Sequence, residues 1–215
     1  MREHLTCTGF VLVVVVVLAA CDILGADDDG SGQGLGPLGD TLEIDETITR
    51  RANFADFADF FSPYQHVAGR NFELRETNGG TVLNTDTTDD AIVTLSEGVP
   101  DEALLDTPVH WFGAGVTSSN PDADILEVEI RGSDDNGLAS NFYGDLANQL
   151  AYDVVYIYFT ADTEIGGINA DPTDFDLSLS AGWNLVVVES TATSVRYTDS
   201  LPSGINLKWT SQTSQ

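Results

Sequence analysis

Between Asp124 and Arg131 apolar and acidic side chains alternate, with Leu126, Val128 and Ile130 on one side of an extended chain and Glu127 and Glu129 on the other. Successive strand side chains point to opposite faces, so this segment reads as a strand with one buried and one wet face. Asp174 to Ser180 repeats the pattern through Phe175, Leu177 and Leu179. Asp153 to Phe159 is a near-continuous apolar and aromatic run, which predicts a central strand. Ala91–Leu95, Val109–Phe112, Leu185–Glu189, Ser194–Thr198 and Ile205–Thr210 are shorter candidates. Asn71–Arg75 and Thr81–Asn84 flank Asn78-Gly79-Gly80, residues that accept positive φ, and predict a hairpin. One segment has a different period. Phe54, Phe57, Ala58 and Phe61 recur at the spacing of one helix face within Arg51–Phe61, and Pro63 limits it. Asp56 and Asp59, with no basic fringe, favour packing of this short amphipathic helix on the domain's own sheet over a membrane surface. About eight to ten short strands, separated by turn signals, predict an all-β fold, an antiparallel β-sandwich. The expected core is Leu126, Val128, Ile130, Val155, Ile157, Phe159, Phe175, Leu177, Leu179 and Trp183.

The first residues follow another logic. Arg2 supplies a positive start, and Gly9 to Ala20 is apolar, dominated by Val11 and Val13 to Val17. These 12 residues would cover ~18 Å as a helix against ~30 Å of bilayer core, which fits a secretory signal rather than a permanent span. The stretch ends in Leu18-Ala19-Ala20-Cys21, which resembles the lipobox of bacterial lipoproteins at every position. The resemblance implies that the Cys21 thiol takes a diacylglyceryl group, that a peptidase cuts before it, and that the new N-terminus is acylated. It implies a signal peptide over 1–20, attachment to the bacterial cell membrane through lipid on Cys21, and a domain facing the periplasm or the cell exterior. Ala26 to Asp40 holds five glycines and four aspartates with little to bury. It cannot repay its ordering entropy, so residues 21–40 read as the lipidated cysteine and a flexible acidic linker, and 41–215 as a single domain. That length is enough to bury roughly 70% of the unfolded chain's surface.

Cysteine and charge then remove whole classes of function. Cys7 leaves with the signal and Cys21 is consumed by lipid, so the mature domain has no thiol for a nucleophile, a Cys-ligated zinc or an iron–sulfur cluster. Acidic residues number 35 against 8 basic, a net charge of −27, and Lys208 is the only lysine. Nucleic-acid binding needs basic side chains to displace counterions from phosphates, so no nucleic-acid partner is expected. Attraction to anionic headgroups is equally excluded, which leaves the lipid to hold the membrane. An excess of aspartate over glutamate, 24 to 11, suits a saline exterior where salt screens self-repulsion.

The search for reacting groups is mostly negative. His66 and His110 are the only histidines after the signal, and no zinc-protease helix motif, nucleophile elbow or phosphate loop occurs. The chain is therefore expected to be no enzyme and to need no cofactor. Aspartates gather in turns at Asp86–Asp90, Asp122–Asp124, Asp134–Asn136 and Asp171–Asp174. Calcium takes six to eight oxygen ligands, so Asp89, Asp90, Asp134, Asp135, Asp171 and Asp174 are candidate ligands; solvated turn aspartates are the simpler reading. The C-terminal third, with Ala181-Gly182-Trp183-Asn184-Leu185-Val186 and Leu201-Pro202-Ser203-Gly204, resembles uncharacterised exported bacterial β domains. Trp183 is expected to cap the core, with a sugar-binding platform as its functional alternative. Together these features predict a membrane-anchored binding or structural module with an unidentified protein or glycan partner. A calcium-dependent adhesin or carbohydrate-binding domain is the sharper alternative, and a carboxylate-based hydrolase the remaining one.

Overall fold

The computed structural model describes residues 35–47, 61–62, 71–87, 92–106, 113–132, 138–145, 148–170, 172–205 and 207–212. Among them the chain is all-β and sandwich-like, with fourteen strands. The first six are β1 (Leu42–Thr47), β2 (Phe61–Ser62), β3 (Asn71–Glu76), β4 (Val82–Thr87), β5 (Ile92–Glu97) and β6 (Val116–Ser118). β7 (Ile125–Gly132), β8 (Leu138–Asp145), β9 (Leu150–Phe159) and β10 (Thr163–Ile168) follow. β11 (Thr173–Leu179), β12 (Gly182–Thr191), β13 (Val195–Thr198) and β14 (Lys208–Gln212) complete the set. β3 and β4 form the expected hairpin, closed by Gly80 at φ 68°. Of the helix expected over Arg51–Phe61, positions 51–60 lie outside the described residues, and Phe61 sits in β2, opposite Gln212. The strand expected over Val109–Phe112 also lies outside them.

The centre of the fold is β7–β9–β12, antiparallel throughout. These strands are covered on both faces. Leu126, Val128 and Ile130 of β7, with Val154, Tyr156 and Tyr158 of β9 and Trp183 of β12, enter a first core. There they meet Leu42 and Ile44 of β1 and Val93 and Leu95 of β5, the small sheet that forms the covering layer. Ile125, Ile157, Phe159 and Val186 enter a second core on the opposite face, against Ile165 of β10 and Phe175, Leu177 and Leu179 of β11. Double coverage explains why β9 reads as a continuous apolar run instead of an alternation. Nine of the ten expected core residues are buried, and Val155 packs half-buried against the second core.

The second core exists because the large sheet rolls up. Hydrogen bonding runs β7–β9–β12–β13–β11–β10–β6, with β11 and β13 parallel. Laid flat, seven strands would separate β6 from β7 by about 29 Å. Residues 119–124 join the two strands directly, and even fully extended they reach only about 25 Å. The link is not extended, since the Ala123 N–H turns back to the Asn120 carbonyl at 3.2 Å. β8 wedges between the diverging ends of β7 and β9 and carries β14 and β2 as a side arm. On the other flank, β5 lies beside β4 without a backbone ladder. Side chains bridge them: Asn84 Nδ2 donates to the Ser96 carbonyl at 2.7 Å, and Asp86 accepts from the Thr94 N–H at 2.8 Å.

The chain enters the domain earlier than its composition suggests. Leu38 donates its N–H to the Trp183 carbonyl and Trp183 donates its own to the Gly39 carbonyl, both at 2.6 Å. Leu35 and Leu38 pack against the first core. Gly182 makes this approach possible. It has φ 99°, and a Cβ there would stand 2.3 Å from the Gly39 oxygen. Residues 35–40, read from sequence as linker, therefore pack on the domain.

Candidate functional site

Of the sequence-derived candidates, Cys21, Asp89, Asp90, Asp134, Asp135 and Asp171 lie outside the described residues, as do His66 and His110. Asp174 lies on β11 with Arg196 of β13 opposite it, 3.5 Å from one of its carboxylate oxygens. Arg196 also donates to Asp176 at 2.5 Å, so one guanidinium serves two exposed aspartates. Asp86 spends both oxygens on backbone N–H groups, those of Thr87 and Thr94. Among the described residues no three His, Cys, Asp or Glu side chains stand close enough to hold a metal ion.

Salt and calcium remain separable in solution. The melting temperature of the domain is expected to climb steadily with sodium chloride as screening shortens from ~30 Å at 0.01 M to ~3 Å at 1 M, and to do the same in potassium chloride. A melt indifferent to both salts, raised by millimolar calcium and reversed by chelator, would instead assign the aspartate excess to calcium.

Trp183 is fully buried. Its ring meets Tyr158 edge-on at 5.4 Å, and its Nε1–H donates to the Gly98 carbonyl at 2.9 Å. No face is left for a sugar. Asn184 completes the turn: its Nδ2 donates to the carbonyls of Ser180 and Gly182, and its Oδ1 accepts from the Ser180 N–H. The Gly182-Trp183-Asn184 run is thus a structural corner in every atom described.

The face expected to be wet holds the more informative groups. Ile125 points into the second core, so Glu127, Glu129 and Arg131 share its side of β7. All three are half-buried. Across the β3–β7 ladder, Glu73 stands opposite Arg131 and Arg75 opposite Glu129. Within each strand Arg75 donates to Glu73 at 2.5 Å, and Arg131 donates to Glu129. The result is a checkerboard of two acids and two bases, the favourable arrangement for cross-strand charges. Arg75 Nε is shielded from water without a hydrogen-bond partner.

Glu127 stands at the inner border of this lattice. Burial, with the Glu129 charge beside it, pushes its carboxyl up to about 7. On β9, Asp153 alternates with Val155 and Ile157 and so faces the same interior. Tyr197 of β13 closes over them, its ring stacked on Phe175 with centroids 5.0 Å apart. Burial raises the Tyr197 hydroxyl well above the usual tyrosine range, and the Glu127 and Asp153 charges raise it further. Both carboxylates therefore act on one buried phenol. A half-buried acid tuned near neutrality with Glu129 beside it is, among the described residues, the arrangement best suited to binding or moving a proton. Sequence could not single it out among 35 acids. The one available signal was the two-faced apolar run of β9, which implies a layer over the neighbouring face of β7.

No protein family matches this chain, and neither a curated protein nor a solved structure does.

Proposed function

We propose that this protein is a lipid-anchored extracytoplasmic module whose β domain binds a partner or serves a structural role at the bacterial membrane. The observation that carries the proposal is the Leu18-Ala19-Ala20-Cys21 run at the end of an apolar stretch too short to span a bilayer. A net charge of −27 supports it from the other side, because such a surface needs a lipid to stay on a membrane. No helix among the described residues is long and apolar enough to cross one. Cys21→Ala is expected to give an unprocessed or mislocalised precursor that takes up no labelled palmitate. Undiminished labelling of that variant would end the proposal.

One observation favours a second reading, a carboxylate-based hydrolase. Glu127, held near neutrality by burial and the Glu129 charge and acting together with Asp153 on the Tyr197 phenol, has the proton affinity of a general acid. That reading requires Glu127→Gln to abolish hydrolysis of a glycan or ester substrate, whereas the binding module has no such activity to lose.

A further inference from the structure

The entry of the chain into the fold defines an orientation. Residues 35–40 are bound, not trailing: two backbone hydrogen bonds of 2.6 Å join Leu38 and Gly39 to Trp183, and Leu35 and Leu38 cover part of the first core. Gly182 leaves room for the Gly39 carbonyl where any Cβ would collide with it. This seat lies at one end of the longest strands. Gly182 pairs with Phe159, and the same β9–β12 ladder ends nine residues on, at Leu150 and Thr191, about 30 Å away. Continuing the β1–β5 register, where Leu42 faces Glu97, places Asp40 beside the exposed Val99. The turn at 192–194 marks the opposite end.

We infer that Leu35–Asp40 is a docked strap that orients the domain on its membrane, with the Gly182 end inward and Asp153 and Tyr197 toward the far end. The inference rests on lipid attachment at Cys21. Thirteen residues, 22–34, then separate the lipid from the strap. As an unstructured chain they would have a root-mean-square span of about 20 Å, less than the length of the domain. Inverting the domain would hold the strap about 30 Å above the headgroups and stretch that segment beyond its favoured span. Asp153 and Tyr197 are set toward the outward side of the second core, whereas Glu127, opposite Ile157, is two residues from the Gly182 end. Asp153 lies six residues along β9 from Phe159, and Tyr197 pairs with Val188, six residues along β12 from Gly182. The inward end carries exposed Asp40, Asp101, Glu102, Asp106, Asp122 and Asp162, and no lysine or arginine falls between Glu76 and Ile130. It therefore stands off anionic lipid instead of lying flat on it, and the strap alone sets which end is nearer.

The mature sequence offers Cys21 as its only cysteine, so single labels can be placed freely. The lipidated full chain carrying Val99→Cys or Thr193→Cys, each labelled with a donor fluorophore, is reconstituted into phosphatidylcholine vesicles holding a headgroup acceptor, at physiological salt. Energy transfer from position 99 is expected to exceed that from position 193 several-fold. Equal transfer, or the reverse order, overturns the strap. Gly182→Val, which expels the strap, should bring the two values together. A longer glycine–serine insert after Ser31 should do the same while leaving the domain intact, so a folding failure of the first variant leaves the test standing. Cys21→Ala separates the two proposals: if that variant still binds the vesicles, lipid anchoring fails whatever the transfer shows. If it stays in solution while wild-type transfer is equal at both sites, only the orientation fails.

Discussion

Trp183→Ala is expected to destabilise the domain by about 3–5 kcal/mol, the range for deleting a large buried aromatic side chain and leaving a cavity. The indole is fully buried and closes the first core from the start of β12. Its loss also removes the edge-on contact with Tyr158 and the partner of the Gly98 carbonyl. Domains of this size hold only about 5–15 kcal/mol in total, so the variant should be near or past the threshold of cooperative folding. Trp183→Phe, which keeps most of the apolar contact and loses the N–H, should cost about 1–2 kcal/mol. Urea unfolding followed by far-ultraviolet circular dichroism checks both. A Trp183→Ala domain as stable as the parent would mean that the corner is not what holds β1 and β5 to the central sheet, and would reopen the tryptophan as a surface platform.

What could be read from the sequence was local. The alternation of Leu126, Val128 and Ile130 placed a strand and its inward face. Asn78-Gly79-Gly80 placed a hairpin, and Gly182 placed a corner that only glycine can make, because each depends on a few neighbouring residues. What escaped was non-local or featureless. β1 pairs with β5 across some forty-five residues of intervening chain, and nothing in Leu42–Thr47 announces its partner. β8 (Leu138–Asp145) and β10 (Thr163–Ile168) mix polar residues and glycine without a period, and they are strands because neighbours on both sides complete their ladders. The docking of residues 35–40 is hidden for a related reason. Glycine and aspartate fill residues 26–40, yet Leu35 and Leu38 find apolar cover that composition cannot reveal. The site failed to show itself by the same route. Glu127 sits at a wet position of a two-sided strand, and only the rolling of the sheet through β13 and β11 brings Tyr197 near it.

That burial makes Glu127 the group whose titration should be most visible in stability. Its carboxyl titrates near the ordinary 4.5 in the unfolded chain and at about 7 in the fold. Between those values the folded state holds a proton that the unfolded state has released, so stability falls as pH rises through the window. The contribution is fully present below about 4.5 and lost above about 7. A displacement of that size corresponds to about 3 kcal/mol. Glu129 and Arg131 on β7, Asp153 on β9, Tyr197 on β13 and the Glu73–Arg75 pair on β3 are the charged or titratable described groups around it, so part of the effect is shared with them. Glu127→Gln keeps the shape of the protonated acid and cannot ionise. At pH 8 it should be more stable than the parent by about 2–3 kcal/mol, and at pH 4 the two should coincide. Urea midpoints for both proteins, taken across this range at constant ionic strength, isolate Glu127 from the other carboxylates, whose titration is common to the pair. Parallel curves would show that Glu127 is solvated and ionised in the fold. A convergence at low pH would mark it as a destabilised acid kept against the second core, where a partner that supplies a cation or a hydrogen-bond donor would gain the most by binding.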